Sequence, residues 1–314
     1  MTTKKNVVLL DRATLGDGVS LEAFHQLPVP LVIYDQSEPE DVIERCRDAV
    51  AIVTNKVVID ESTLSSLPNL RYIGVLATGT NNIDLAACDL RGIKVQNVER
   101  YSTASVAQHA MTLILSLAGS VPAYSRDAVN GTWAESDRFC LLNHPIMELG
   151  GKNLLIVGYG DLGKATARLA GAFGMNVLKA RVPGSPTTSI DRIELDEGLK
   201  QSDVVSLHCP LSESTANLLD QKRLSLMKPG AILINTARGG LVDESALVSA
   251  LEAGRLGGAG FDVLSEEPPG NGNILLNKSL PNLIVTPHCA WGSLESRQRL
   301  VNLAAQHYAR FFQG

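Results

Sequence analysis

Arg238, Asp262, Glu267 and His288 could perform acid–base and anion-binding chemistry, and all four follow apolar runs late in the chain. Arg238 stands in "INTARGGLVDESAL", in a turn of small residues. In "GFDVLSEEPP", Asp262 ends the run and Glu267 lies in the loop beyond it. His288 follows Pro287 in "IVTPHCAW". An imidazole exchanges protons near neutral pH. A guanidinium can grip a carboxylate through two parallel hydrogen bonds. Taken singly, each has an ordinary alternative: a surface charge at a helix start, a solvated loop acid, a strand-end cap. Together they fall at the carboxyl ends of strands, where open α/β sheets bind their ligands.

Upstream, "LLIVGYGDLGKATARLAGAFGMNVLKARVPGSP" runs an apolar strand into Gly158, Gly160 and Gly163, then into a helix and a second strand. A glycine triplet alone says little, but within a βαβ unit it predicts a dinucleotide turn. Gly158 would permit the tight turn, Gly160 the close approach of a pyrophosphate, and Gly163 close helix–strand packing. The helix N-terminus would supply N–H groups to the phosphates. Arg181 stands near the place where such sites carry an acidic residue for the ribose 2′-hydroxyl. Arginine cannot accept those hydrogen bonds, but it pairs with a 2′-phosphate. The expectation is NADP rather than NAD, with Pro183 to Ser189 completing a phosphate cup.

These residues need two α/β units to hold them. In the first hundred residues "NVVLL", "LVIY", "AVAIVT", "LRYIGVLA" and "IKVQNV" read as buried strands alternating with helical segments. The alternation predicts a parallel sheet covered on both faces. One long helix is expected from about Thr103 to Asn130, followed by an irregular polar–aromatic segment at 131–150. Strands resume from Lys152, and a helix from about Ser293 to Phe312 ends the pattern.

At 314 residues, two domains are the default. With 28 Lys plus Arg against 33 Asp plus Glu, the net charge of −5 argues against nucleic acid or an anionic membrane as partner. The five scattered cysteines lack a C-x-x-C pair and read as buried thiols in a reducing compartment. No segment has the length of a membrane span and no secretory leader is visible, so a cytoplasmic location is expected.

The stretches "LHCPLSEST", "MKPGAILINTARGGLVDESAL", "GAGFDVLSEEPP" and "NLIVTPHCAW" resemble the D-isomer-specific 2-hydroxyacid dehydrogenase family, across almost the whole chain. "ATGTNNIDL", "SVAQHAM", "SDRFCLLNHPIMELGGK" and the Trp after "TPHCA" are most similar to its glycerate dehydrogenase and hydroxypyruvate reductase group. The resemblance implies an α/β chain of two domains. A flavodoxin-like substrate domain would comprise 1–100 plus 290–314, and an inserted Rossmann-like, doubly wound cofactor domain 101–289. The segment 131–150 would be a dimerisation arm anchored by Trp133, Phe139 and Met147.

It also implies roles. His288 would be the general acid toward a 2-keto acid and the base in oxidation. Glu267 would fix its tautomer and favour the imidazolium. Arg238 would hold the substrate carboxylate, with the backbone of Leu76, Ala77, Thr78 and Gly79 as a second anchor and Trp291 closing the pocket. Cofactor contacts would come from Gly158, Gly160, Asp161, Leu162, Gly163, Arg181, Cys209, Pro210, Thr215, Thr236, Ala237 and Asp262, with Asp262 facing the carboxamide; no metal is implied. Arg181 departs from the family, whose residue there is normally acidic. The expected reaction is NAD(P)H-dependent reduction of hydroxypyruvate or glyoxylate by a homodimer. The alternatives are a dinucleotide-sensing, corepressor-like binding protein of the same fold and a dehydrogenase for another small 2-keto acid. Formate enzymes of this fold carry an amide where Glu267 stands, which argues against that activity.

Overall fold

The computed structural model describes residues 6–26, 29–186, 189–277 and 280–313. The chain divides into two compact units, one of residues 1–102 and 292–314, the other of residues 103–291.

The first unit opens with β1 (Asn6–Leu9), α1 (Glu22–His25), β2 (Leu31–Ile33), α2 (Pro39–Cys46), β3 (Ala49–Thr54), α3 (Glu61–Ser65), β4 (Tyr72–Val75), α4 (Leu85–Leu90) and β5 (Lys94–Asn97). The strands form one parallel sheet in the order β2-β1-β3-β4-β5, which is the flavodoxin-like order. β3 and β4 are buried at every residue, as uninterrupted apolar runs between two helical layers must be. Asp60 and Asp84 cap α3 and α4, accepting the Thr63 and Ala87 N–H groups. At the switch between β1 and β3 the buried Asp11 carboxylate accepts the N–H groups of Asn55, Lys56 and Val57. That crevice, a natural anion site in this topology, is filled by the chain's own carboxylate.

The second unit continues with α5 (Thr103–Ala118), α6 (Val121–Val129), β6 (Asn153–Val157), α7 (Asp161–Ala172), β7 (Asn176–Lys179), α8 (Leu195–Gln201), β8 (Val204–Leu207), α9 (Gln221–Leu226), β9 (Ile232–Asn235), α10 (Glu244–Glu252), β10 (Gly258–Phe261) and β11 (Leu283–Val285). Its parallel sheet has the order β11-β10-β9-β8-β6-β7. A lone parallel bridge, Ala180 to Ile193, stands outside β7. Counting it as a rudimentary strand gives the doubly wound 3-2-1-4-5-6 order plus one strand, with the switch point between β6 and β8. The helix α11 (Leu294–Gln313) returns to the first unit. There Tyr308 is fully buried, edge-on to Tyr72 at 5.3 Å and 6.3 Å from the Phe24 ring.

The helix expected from 103 to 130 is in fact two, α5 and α6, meeting at a 59° bend. Ser120 takes a left-handed φ of 48°, and Pro122 opens the next helix. Proline cannot continue the hydrogen bonding of a helix interior and is well placed in a first turn. No single described helix is long and apolar enough to cross a membrane. The 131–150 segment has no regular structure, and it exposes Trp133, Phe139, Leu142 and Ile146. Met147 is half-buried. Its N–H donates to the Ala118 carbonyl, and its side chain packs partly buried against the unit's own core.

Candidate active site

The glycine turn joins β6 to α7, and each glycine has its own reason. Gly158 has φ 102°, and a Cβ there would lie 2.5 Å from the Cys209 nitrogen. At Gly163 a Cβ would meet the Gly158 carbonyl oxygen at 2.1 Å. Both are demanded by close backbone packing. Gly160 is different: its φ is −82°, and a Cβ would meet nothing within 4 Å. Neither conformation nor packing requires glycine there, so the open space beside it fits a group from outside the chain. It caps α7 with no side-chain bond, leaving the positive helix end for an anion. Asp161 and Leu162 form the first turn.

Further groups at the carboxyl ends of these strands fit a dinucleotide. The Thr236 hydroxyl, beyond β9, is buried with no partner, an arrangement a ligand would satisfy. His208, which follows β8 against the turn, has a buried Nδ1 without a partner, and burial pushes its imidazole down to about 4. It is neutral at physiological pH. Burial likewise pushes the Cys209 thiol up to about 11, so it acts as an apolar wall. Pro210 is exposed beside it. Thr215 does not fit the expected cofactor contact. It is buried, its hydroxyl donates to the Pro210 carbonyl at 2.8 Å, and the Ser212 N–H donates to it. Its work is to close the 210–215 loop.

Arg181 follows the end of β7, half-exposed, with Nε 2.9 Å from Glu194 Oε1. An exposed pair of this kind contributes about 0–1 kcal/mol and can exchange partners. Arg192 escaped the sequence reading because it lies eleven residues further on. Its Nη1 donates to the Ala180 carbonyl at 3.3 Å, while its buried Nε has no partner. The Ala180–Ile193 bridge thus brings a second guanidinium to the same strand end. Thr187 and Thr188 of the expected phosphate cup lie outside the described residues.

The structure brings the acid–base residues together. His288 Nδ1 is 2.6 Å from Glu267 Oε2, and the other Glu267 oxygen accepts the Leu264 N–H at 2.9 Å. With Nδ1 donating to the carboxylate, Nε2 is the nitrogen left for proton exchange. His288 has φ 51°, a conformation that costs non-glycine residues about 1–3 kcal/mol and recurs at functional sites. Arg238 is exposed at the end of β9, its Nη1 donating to the Ala237 carbonyl. Asn235 clamps that turn, accepting the Ala237 N–H and donating to the Arg238 carbonyl. At Gly239 a Cβ would strike the Leu264 backbone at 1.9 Å. The Arg238 loop therefore rests on the loop that carries Glu267. From the first turn of α10, Glu244 accepts the Ser265 N–H at 2.7 Å and pins this second loop.

Asp262 holds the His288 segment. It is 1% exposed, and both oxygens accept bonds from the segment around His288. Oδ1 takes the Thr286 hydroxyl at 2.6 Å and the Cys289 N–H at 2.9 Å, and Oδ2 takes the Ala290 N–H at 2.8 Å. Its carbonyl accepts the His288 N–H. His109, Asp262 and Cys289 bring ligand atoms within 4.8 Å of one another. Burial and the Asp262 charge push the Cys289 thiol up, which suits a loop-holding network and not a thiolate metal ligand. Trp291 ends the second unit.

In the first unit, Leu76 to Gly79 leave the carboxyl end of β4. The Ala77 and Thr78 carbonyls accept the Val98 N–H and Asn97 Nδ2. The Thr78 hydroxyl donates to the Val98 carbonyl.

Residues 111–290 match the model of the D-isomer specific 2-hydroxyacid dehydrogenase, NAD binding domain. The chain belongs to this family. Over 99% of its length it is 43% identical to a glycerate dehydrogenase of Methylorubrum extorquens, 97% of which is covered. A putative 2-hydroxyacid dehydrogenase of Haemophilus influenzae is 46% identical over 89% of this chain and 90% of its own. Among solved structures, the TT0316 protein of Thermus thermophilus superposes with a TM-score of 0.86 at 33% identity, covering 98% of this chain and 97% of that one. As a 2-hydroxyacid dehydrogenase the protein is an NAD(P)-dependent oxidoreductase. The turn at 158–163 and the strand ends that follow lie within the matched span, as do Arg238, Glu267 and His288.

Proposed function

We propose that the protein reduces hydroxypyruvate, glyoxylate or both to the corresponding D-glycerate and glycolate, with NADPH as the preferred reductant. The observation that carries the acid–base assignment is the 2.6 Å contact between His288 Nδ1 and Glu267. A nicotinamide dinucleotide held at the glycine turn would supply the hydride for the substrate's carbonyl carbon. His288, as the doubly protonated imidazolium, delivers the Nε2 proton to the carbonyl oxygen, while Glu267 accepts the Nδ1–H and keeps the ring oriented with Nε2 as the donating atom. Arg238 grips the carboxylate bidentately and polarises the adjacent carbonyl. The small substrate is supported by the likeness to a glycerate dehydrogenase, and on this reading Trp291 would close the pocket against long side chains. Discrimination by pocket size is shallow, about 10- to 200-fold per methylene, so other small 2-keto acids are expected to turn over as well. Initial rates with hydroxypyruvate, glyoxylate and pyruvate test this: a clear preference for pyruvate would overturn the substrate assignment.

Two cations at the end of β7, Arg181 and Arg192, support the NADPH preference. A charge-assisted hydrogen bond contributes about 1.5–3 kcal/mol, so Arg181→Asp should shift the ratio of kcat/KM for NADPH over NADH by roughly 10- to 150-fold toward NADH. An unchanged ratio would mean that Arg181 stays with Glu194 and that the 2′-phosphate is not read at this strand end.

The proposal extends to a homodimer formed through residues 131–150. Phe139 is 95% exposed and Leu142 78%, and with Trp133 and Ile146 they give the segment the apolar, aromatic side chains that suit an interface core. Sedimentation velocity should show a two-fold dimer, and Phe139→Asp with Leu142→Asp should shift it toward monomer. A monomeric wild-type protein at micromolar concentration would refute the assignment.

A further inference from the structure

His109 lies on α5, about one hundred and eighty residues from His288 in sequence, yet the two belong to one hydrogen-bond chain. Its Nε2 is 2.9 Å from the Thr286 hydroxyl oxygen. That hydroxyl has a single proton and gives it to Asp262 Oδ1 at 2.6 Å. The oxygen can therefore only accept from His109, which must carry its proton on Nε2. The Asp262 carboxylate in turn gathers the Cys289 and Ala290 N–H groups, and its carbonyl takes that of His288. One turn earlier on α5, Ser105 donates to the Ala290 carbonyl at 2.6 Å. The segment 286–290 is thus pinned at both ends by α5 and at its middle by Asp262. It holds His288 at φ 51°, a conformation its own sequence does not favour.

We infer that His109 is a positioning residue: through Thr286 and Asp262 it holds the backbone on which His288 presents Nε2. Without the His109 donor, the Thr286 hydroxyl is free to rotate away from Asp262. The carboxylate then loses its shortest partner, and the left-handed turn relaxes. His288 moves from Glu267 while the glycine turn and Arg181 stay in place. The fault is therefore in proton delivery and not in dinucleotide binding. Displacement of about 1 Å at a reacting group can lower turnover by about 10²-fold.

The inference rests on the reductase reading, so variants are compared with wild type on whichever small 2-keto acid wild type reduces fastest. Failure on hydroxypyruvate would count against the substrate assignment alone, and the variant-to-wild-type ratio still decides this one. His109→Leu should lower kcat about 10- to 100-fold, with KM for the dinucleotide within about threefold and an enlarged solvent deuterium isotope effect on kcat. His109→Gln, which retains a donor at similar reach, should restore most of that loss. Thr286→Val should reproduce the leucine phenotype and Thr286→Ser should spare activity; this pair decides the matter if His109→Leu does not fold. Wild-type kcat in His109→Leu or Thr286→Val would overturn the inference. So would equal losses in the glutamine and leucine variants, which would mark His109 as packing only.

Discussion

His288→Asn is expected to reduce kcat by about 10²–10⁴-fold, the usual contribution of a positioned general acid, while NADPH binding measured by fluorescence titration stays near wild type. Asparagine is uncharged and can hydrogen-bond, but it cannot deliver a proton at neutral pH. The separation of effects follows from placement: His288 belongs to the segment after β11, whereas the dinucleotide turn joins β6 to α7. Glu267→Gln should cost less. It removes the charge from a 2.6 Å contact and leaves a group of the same shape, so the loss should be that of one charge-assisted bond, about 10- to 150-fold. A kcat within tenfold of wild type in His288→Asn would assign proton delivery to another group.

The second large effect separates three glycines that look alike in sequence. Gly158→Ala places a Cβ 2.5 Å from the Cys209 nitrogen at a φ of 102°, and Gly163→Ala places one 2.1 Å from the Gly158 carbonyl oxygen. Strain and overpacking each cost about 1–3 kcal/mol, so both variants should melt well below wild type, and Gly158→Ala should fold poorly. Gly160→Ala meets nothing within 4 Å and has an ordinary φ. It should melt with wild type, yet weaken dinucleotide binding by roughly 5- to 150-fold, because its methyl occupies the space left for a ligand. Calorimetry and cofactor titration on the three variants decide it. Equal melting losses at all three positions would show that Gly160 serves the fold.

The candidate acid–base residues could be placed from the sequence because chemistry and topology agree. Arg238, Glu267 and His288 follow apolar β runs, and the end of a parallel strand is a predictable location. The sheets were legible for the same reason, since apolar runs such as "AVAIVT" and "LLIV" suit only a doubly covered parallel strand. What stayed hidden is what depends on contacts between distant segments. Gly119 and Pro122 mark the break between α5 and α6 in the sequence, but the apolar pattern continues across it, and the left-handed Ser120 is what makes the bend. Arg192 reaches the cofactor end of β7 through a single bridge. Thr215 reads as a polar contact, but its hydroxyl is committed to its own loop. Asp262 sits where a ligand contact is expected, and only the fold shows the three hydrogen bonds that turn it toward the His288 segment.

The order of the chain also sets an order of assembly. The first unit needs α11 to cover Tyr72 and Phe24, because Tyr308 fills that core. Those residues leave the ribosome only after the whole of 103–291. The second unit carries its own sheet, and the Ser105 bond to Ala290 staples its first helix to its final segment. It can therefore close on itself while the earlier hundred residues are still without a lid. The unit whose sheet is made before 103–291 is completed only after it, and in the interval the core formed by β3 and β4 with α2, α3 and α4 is present while the Tyr308 cluster is not.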